Sequence, residues 1–131
     1  HRLMNHCGEC KYLHGHSAKI FVKLYTNELN DNSMVIDFGD LSDINQYIDD
    51  NFDHWLILNS ADIDLGTAIL AFPMKLRYVP SEPTAEYFAK EIAEYIYRLK
   101  AKDSKYLNIR KIEVTFYETA KNCATYELIA Y

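Results

Sequence analysis

The run Ser17-Ala18-Lys19-Ile20-Phe21-Val22-Lys23-Leu24-Tyr25-Thr26 decides the fold class. Ala18, Ile20, Val22 and Leu24 fall on one side of an extended chain, and Lys19, Phe21, Lys23 and Tyr25 on the other. This period of two marks a strand with one face on a core and the other open. Downstream, Asn30-Asp31-Asn32-Ser33 has turn chemistry, and Met34-Val35-Ile36-Asp37-Phe38 reads as the returning strand of a hairpin. Leu41, Ile44, Ile48 and Phe52 then recur at spacings of three and four, predicting an amphipathic helix over about 40–52 with Asp40 near its start.

From Trp55 to Pro83 no period holds, and Gly66, Pro73, Pro80 and Pro83 interrupt short apolar runs, so this segment reads as an irregular excursion. Thr84 has N-cap chemistry. Phe88, Ile92, Tyr95, Ile96 and Leu99 form the stripe of a second helix running to about Lys100, with Arg98, Lys100 and Lys102 suiting its C-terminal end. Ile112, Val114 and Phe116 alternate with Glu113, Thr115 and Tyr117. A second alternating run covers Thr125 to Tyr131 beyond the turn Ala120-Lys121-Asn122, giving another hairpin. Two hairpins flanking two helices make an α+β chain. The simplest cover for both helices is one face of a four-stranded antiparallel sheet.

The 131 residues carry 14 Lys+Arg against 19 Asp+Glu and are 49% hydrophobic, which fits one domain, 1–131, able to fold without a structural metal. A net charge of -5 with no basic run argues against nucleic acid or an anionic membrane as the main partner. The odd set Cys7, Cys10 and Cys123 suits a reducing compartment, so a cytoplasmic location is expected.

The chemistry concentrates in residues 1–16, HRLMNHCGECKYLHGH, which hold four of the five histidines. In His14-Gly15-His16 the imidazoles stand two apart on an extended chain and can chelate one metal from the same face. A catalytic zinc with three histidines and an open fourth position asks for one more, from His1 or His6. The rival is a compact knuckle from Cys7, Cys10, His14 and His16, but three residues between Cys10 and His14 leave little chain to wrap a tetrahedron. With zinc on histidines, Cys10 is free as an acid/base or nucleophilic thiol. In Asp53-His54, at the end of the first helix, a carboxylate can orient an imidazole for proton transfer; the bland reading is a helix-end pair. Glu118, after the strand ending at Tyr117, can accept two N–H bonds from an amidine-like ring edge, or be a solvated turn residue. Glu86 is likewise readable as a first-turn acid.

Taken in order, His1-Arg2-Leu3, Cys10-x3-His14-Gly15-His16, Met34 to Phe38, Asp53-His54, Pro83-Thr84-Ala85-Glu86 and Tyr117-Glu118-Thr119 resemble the 6-pyruvoyl-tetrahydropterin synthase family over nearly the whole chain. The resemblance implies the tunnelling fold (T-fold): a four-stranded antiparallel sheet with two helices on one face, subunits joining their sheets into an oligomeric β-barrel, most simply a hexamer. It implies Zn2+ on His1, His14 and His16, proton transfer by Cys10, Asp53 and His54, and a pterin anchored by Glu118 with Thr84 and Glu86 on the substrate side, in pockets between subunits. The three-residue gap after Cys10 is similar to the 6-carboxy-tetrahydropterin synthase branch, which works in queuosine (7-deazaguanine) biosynthesis. The implied reaction turns 7,8-dihydroneopterin triphosphate into 6-carboxy-5,6,7,8-tetrahydropterin, acetaldehyde and triphosphate. The alternatives are the pyruvoyl-forming branch and a non-catalytic zinc-binding oligomerisation module. For the triphosphate, Arg2, Lys11 and Lys75 are the candidate cations.

Overall fold

The computed structural model describes all residues, 1–131. Strand β1 (Lys19–Tyr25) forms where the alternation predicts it, with Ile20, Val22 and Leu24 half-buried and the intervening residues exposed. It lies antiparallel to β4 (Lys111–Tyr117), from Lys19↔Tyr117 to Tyr25↔Lys111. β4 pairs antiparallel with β5 (Cys123–Ile129), from Tyr117↔Cys123 to Lys111↔Ile129. The order is β1-β4-β5, so β4 is central and its inward Ile112, Val114 and Phe116 are buried.

Helix α3 (Ala85–Leu99) covers β4 and β5 with Phe88, Ala89, Ile92, Ala93, Ile96 and Leu99, all buried. Its start is set by Thr84, whose side-chain oxygen accepts the Tyr87 N–H at 3.2 Å. The first predicted helix is α1 (Ser42–Asn51), entered through a 3-10 turn at Phe38–Leu41. Ile44 is buried, and Leu41, Ile48 and Phe52 pack against the core as their spacing requires. Between α1 and β1 an apolar groove of about 600 Å³ remains.

Two expectations are corrected. The Met34–Phe38 segment is not a strand, and the antiparallel sheet has three strands rather than four. Asn30 diverts it: its side-chain oxygen accepts the N–H of Asn32 and of Met34, each at 3.0 Å, and its own N–H bonds Met34 O at 2.9 Å. Asp37 then accepts the Gly39 N–H at 2.7 Å and starts the 3-10 turn. Local side-chain bonds thus occupy main-chain groups that a ladder would need.

The excursion from Trp55 to Pro83 is also more ordered than its pattern suggests. β2 (Trp55–Asn59), α2 (Ile63–Ile69) and β3 (Lys75–Val79) form a strand-helix-strand unit, with β2 and β3 parallel. β2 has no exposed residue, and a strand covered on both faces needs no alternation, so a period-two test passes over Trp55-Leu56-Ile57-Leu58. The unit is tied to α3 by Arg77, which donates to both oxygens of Glu91 at 2.8 and 3.0 Å and lies over the Phe52 ring. Apart from these corrections, the predicted element order stands, with three antiparallel strands backed by helices.

Candidate metal centre

Residues 1–16 fold into a two-stranded loop that delivers the histidines. The main-chain nitrogen of His1 donates to His14 O at 2.8 Å, His14 N–H returns to His1 O at 3.0 Å, and Leu3 N–H bonds Cys10 O at 2.8 Å. Arg2 fastens this loop to the rest of the protein. Its Nε and Nη2 reach the two carboxylate oxygens of Asp62, each at 2.6 Å, and Asp62 is almost wholly buried. The guanidinium donors hold the Asp62 carboxyl below its usual range.

The ring nitrogens are set by main-chain carbonyls. His1 Nδ1 lies 2.7 Å from Pro83 O, immediately before α3, and His14 Nδ1 lies 2.7 Å from Tyr12 O. A carbonyl can only accept, so each Nδ1 carries the proton and each Nε2 is left with its lone pair, the arrangement that orients metal-binding imidazoles. His16 joins from the residues leading into β1. The three ring centroids lie 4.7 to 5.0 Å apart, and one ligand atom from each lies within 4.8 Å of the others. His1 Nε2 is buried without any hydrogen-bond partner. A buried acceptor with no donor, facing two more imidazoles, fits a divalent metal, and an all-imidazole set suits zinc among the common ones.

Of the ligand sets left open by the sequence, the structure gathers one. His6 is exposed, and its Nδ1 accepts the Gly8 N–H at 2.9 Å, outside the cluster. Neither Cys7 nor Cys10 joins the group that could hold a metal, and all three cysteines are free thiols. The three histidines that gather are thus His1, His14 and His16, and no cysteine lies among them.

Glu118, directly beyond β4, faces this cluster. Its two carboxylate oxygens stand 3.9 Å from His1 Nε2 and 3.9 Å from His16 Nε2. His1 and Glu118 form a wall between two hollows. The larger, about 290 Å³, is lined by Cys10, His14, Thr84, Glu86, Asn122 and Cys123 among others. The smaller, about 200 Å³, is lined by His16, Phe52, His54 and Trp55 among others. Cys10 and His54 thus border opposite sides of the same histidines. Asp53 Oδ1 is 2.9 Å from His54 Nδ1, but both side chains are largely exposed. His54 has a positive φ of 61°, which turns the chain out of α1 and into β2.

The sequence reading missed Phe52, Trp55, Asn122 and Cys123 as site residues. Only strand register could have found the last two: Cys123 pairs with Tyr117, and Asn122 O accepts the Glu118 N–H at 3.1 Å. None of the candidate triphosphate cations lines either hollow. Arg2 is held by Asp62, Lys11 lies over the Tyr12 ring, and Lys75 over the Trp55 ring. Neither hollow is lined by a lysine or arginine.

An antiparallel sheet backed by helices, with three histidines that could hold a metal and a glutamate gathered at one end of it, is the arrangement of a T-fold protein. The sequence signature described as 6-pyruvoyl tetrahydropterin synthase matches residues 1–128, and the chain belongs to that family. A protein of Rickettsia felis named 6-carboxy-5,6,7,8-tetrahydropterin synthase is 36% identical over 99 residues, 74% of this chain and 72% of that protein. One of Haemophilus influenzae with the same name is 33% identical over 135 residues, 97% of this chain and 90% of that protein. Among solved structures, an uncharacterized protein from Wolinella succinogenes superposes with a TM-score of 0.76 at 22% identity, covering 99% of this chain and 91% of that one. The 6-pyruvoyl tetrahydropterin synthase of Plasmodium vivax does so with a TM-score of 0.67 at 18% identity, covering 90% and 82%. These two likenesses concern the fold.

Proposed function

We propose that the chain is a zinc-dependent 6-carboxy-5,6,7,8-tetrahydropterin synthase. On this reading it converts 7,8-dihydroneopterin triphosphate to 6-carboxy-tetrahydropterin with release of acetaldehyde and triphosphate, as a step in queuosine (7-deazaguanine) formation. The observation that carries the reading is the convergence of His1, His14 and His16, with Cys10 and Glu118 sharing one adjoining hollow. The names of the Rickettsia and Haemophilus relatives support the choice of reaction.

His1, His14 and His16 would hold the zinc, which when bound supplies Lewis acidity toward the oxygens of the substrate side chain. Glu118 has two acceptor oxygens to offer the paired N–H donors of a pterin edge. Thr84 and Glu86 line the same hollow and give it further polar groups. Cys10 and His54 are the proton carriers, one on each side of the histidines, with Asp53 holding the His54 ring by its Nδ1. Such a reaction moves protons on carbon, so carriers on both faces of the substrate side chain suit it.

The free edges of β1 and β5 support a homo-oligomer, most simply a hexamer whose sheets join into a barrel. No helix is long and apolar enough to cross a membrane, and the free thiols suit the cytoplasm.

The test is incubation of purified protein with 7,8-dihydroneopterin triphosphate and identification of the products. Acetaldehyde with 6-carboxy-tetrahydropterin is expected. A 6-pyruvoyl product would move the chain to the other branch, and zinc binding without turnover would leave a non-catalytic oligomerisation module.

A further inference from the structure

A pterin triphosphate carries several negative charges at the end of its side chain, yet the two hollows around the histidines contain no cation. The anionic end must therefore find its partners outside them. On the outward face of the sheet, at the same strand ends, lies a separate hollow of about 430 Å³ lined by Ser17, Lys19, Phe21, Tyr117, Thr119 and Ala120. It begins one residue from the site on both segments, just before β1 and just after β4, since Ser17 follows His16 and Thr119 follows Glu118. Successive Cα atoms are about 3.8 Å apart, so a ligand rounding the sheet end passes directly from one to the other.

The charges of this face are distributed unevenly. Lys23 is neutralised by Glu113 at 2.7 Å and Lys111 by Glu127 at 2.8 Å. Lys19 makes no ion pair, and neither does Lys121, one residue beyond the lining. The hydroxyls here are available too. Thr119 Oγ1 already accepts the N–H of Lys121 at 3.2 Å and of Asn122 at 3.1 Å, which leaves its own O–H to donate outward. In the same lining Phe21 and Tyr117 meet edge to face, ring centroids 5.7 Å apart, and give the hollow an apolar wall.

We propose that Lys19, supported by Lys121 and the Ser17 and Thr119 hydroxyls, forms an oligophosphate subsite that holds the triphosphate end of the substrate. As an assignment to this substrate it rests on the pterin-triphosphate reading above. The subsite itself is tested without that substrate.

The probe is inorganic tripolyphosphate, titrated calorimetrically into the metal-loaded protein and its variants, with phosphate-free neopterin titrated in parallel. Lys19→Ala should weaken tripolyphosphate binding about tenfold or more, and Lys19→Ala with Lys121→Ala further, as expected for lost charge-assisted hydrogen bonds. Neopterin affinity should stay unchanged. A second basic hollow, lined by Arg98, Lys100 and Lys102, lies by the opposite end of β4 and is the comparison: Arg98→Ala with Lys102→Ala should have no effect. The His14→Ala, His16→Ala variant removes the metal as a competing phosphate ligand and should still bind tripolyphosphate. Equal binding by wild type and the Lys19 variants, or loss only in the histidine or Arg98 variants, would overturn the subsite. Failure of neopterin to bind while Lys19-dependent tripolyphosphate binding persists would instead count against the pterin reading alone.

Discussion

At the scale of single residues, two imidazoles are oriented by main-chain carbonyls. His1 and His14 each give Nδ1 to a main-chain carbonyl, so the Nε2 lone pairs are aimed before any metal arrives. Loss of two of three ligands cannot be compensated by His6, which is committed to the Gly8 N–H. The His14→Ala, His16→Ala variant should therefore retain no stoichiometric zinc by metal analysis, against about one per subunit in the wild type. Cys10 borders the hollow with Glu118, whereas Cys7 is exposed and lines neither hollow. Cys10→Ala should accordingly abolish turnover while leaving zinc content and circular dichroism unchanged, and Cys7→Ala should leave all three unchanged. Equal zinc loss in both cysteine variants would contradict the histidine-only centre.

At the scale of elements, the site is held by connections between segments far apart in the chain. The Arg2–Asp62 pair joins the histidine-bearing loop to the residue preceding α2. Asp62→Asn should cost about 1–3 kcal/mol at pH 7, since it leaves a charged donor without its carboxylate. The native carboxyl titrates below its unfolded value, so the stabilisation is full above about pH 4 and is lost as pH falls through the depressed folded value. Urea denaturation should show a wild-type advantage over Asp62→Asn at pH 7 that shrinks below pH 4. An advantage that grew in acid would refute the sign. Thr84 acts at this scale as well, capping α3 with its hydroxyl beside the carbonyl of Pro83 that orients His1.

At the scale of the whole molecule, the sheet is left open. β1 and β5, each of seven residues, are edge strands with unpaired main-chain groups, and Phe21, Tyr25, Ile129 and Tyr131 remain exposed. The groove between β1 and α1 is apolar along nearly its whole lining. Joining sheets edge to edge would satisfy the edges and cover part of this surface. Light scattering at low micromolar concentration should give a symmetric oligomer, most simply six subunits. A stable, fully active monomer of 15.3 kDa would refute both the barrel and any sharing of the site between subunits.

What the sequence determined by itself was whatever is written in local period or local chemistry. β1, α3 and the β4–β5 hairpin follow from apolar spacing, the Thr84 cap from its hydroxyl, and the paired imidazoles from His14-Gly15-His16. The tertiary structure decided what depends on competition or on distance. Met34–Phe38 has the composition of a strand, but Asn30 and Asp37 take its main-chain groups into turns. β2, which pairs parallel with β3, is hidden because a strand covered on both faces carries no alternation. The gathering of His1 rather than His6 with His14 and His16, the pairing of Arg2 with Asp62, and the presence of Asn122 and Cys123 beside Glu118 all depend on which segments are brought together. Spacing along a chain reports which side chains share a face. Only the packing of that chain reports which of them meet across it.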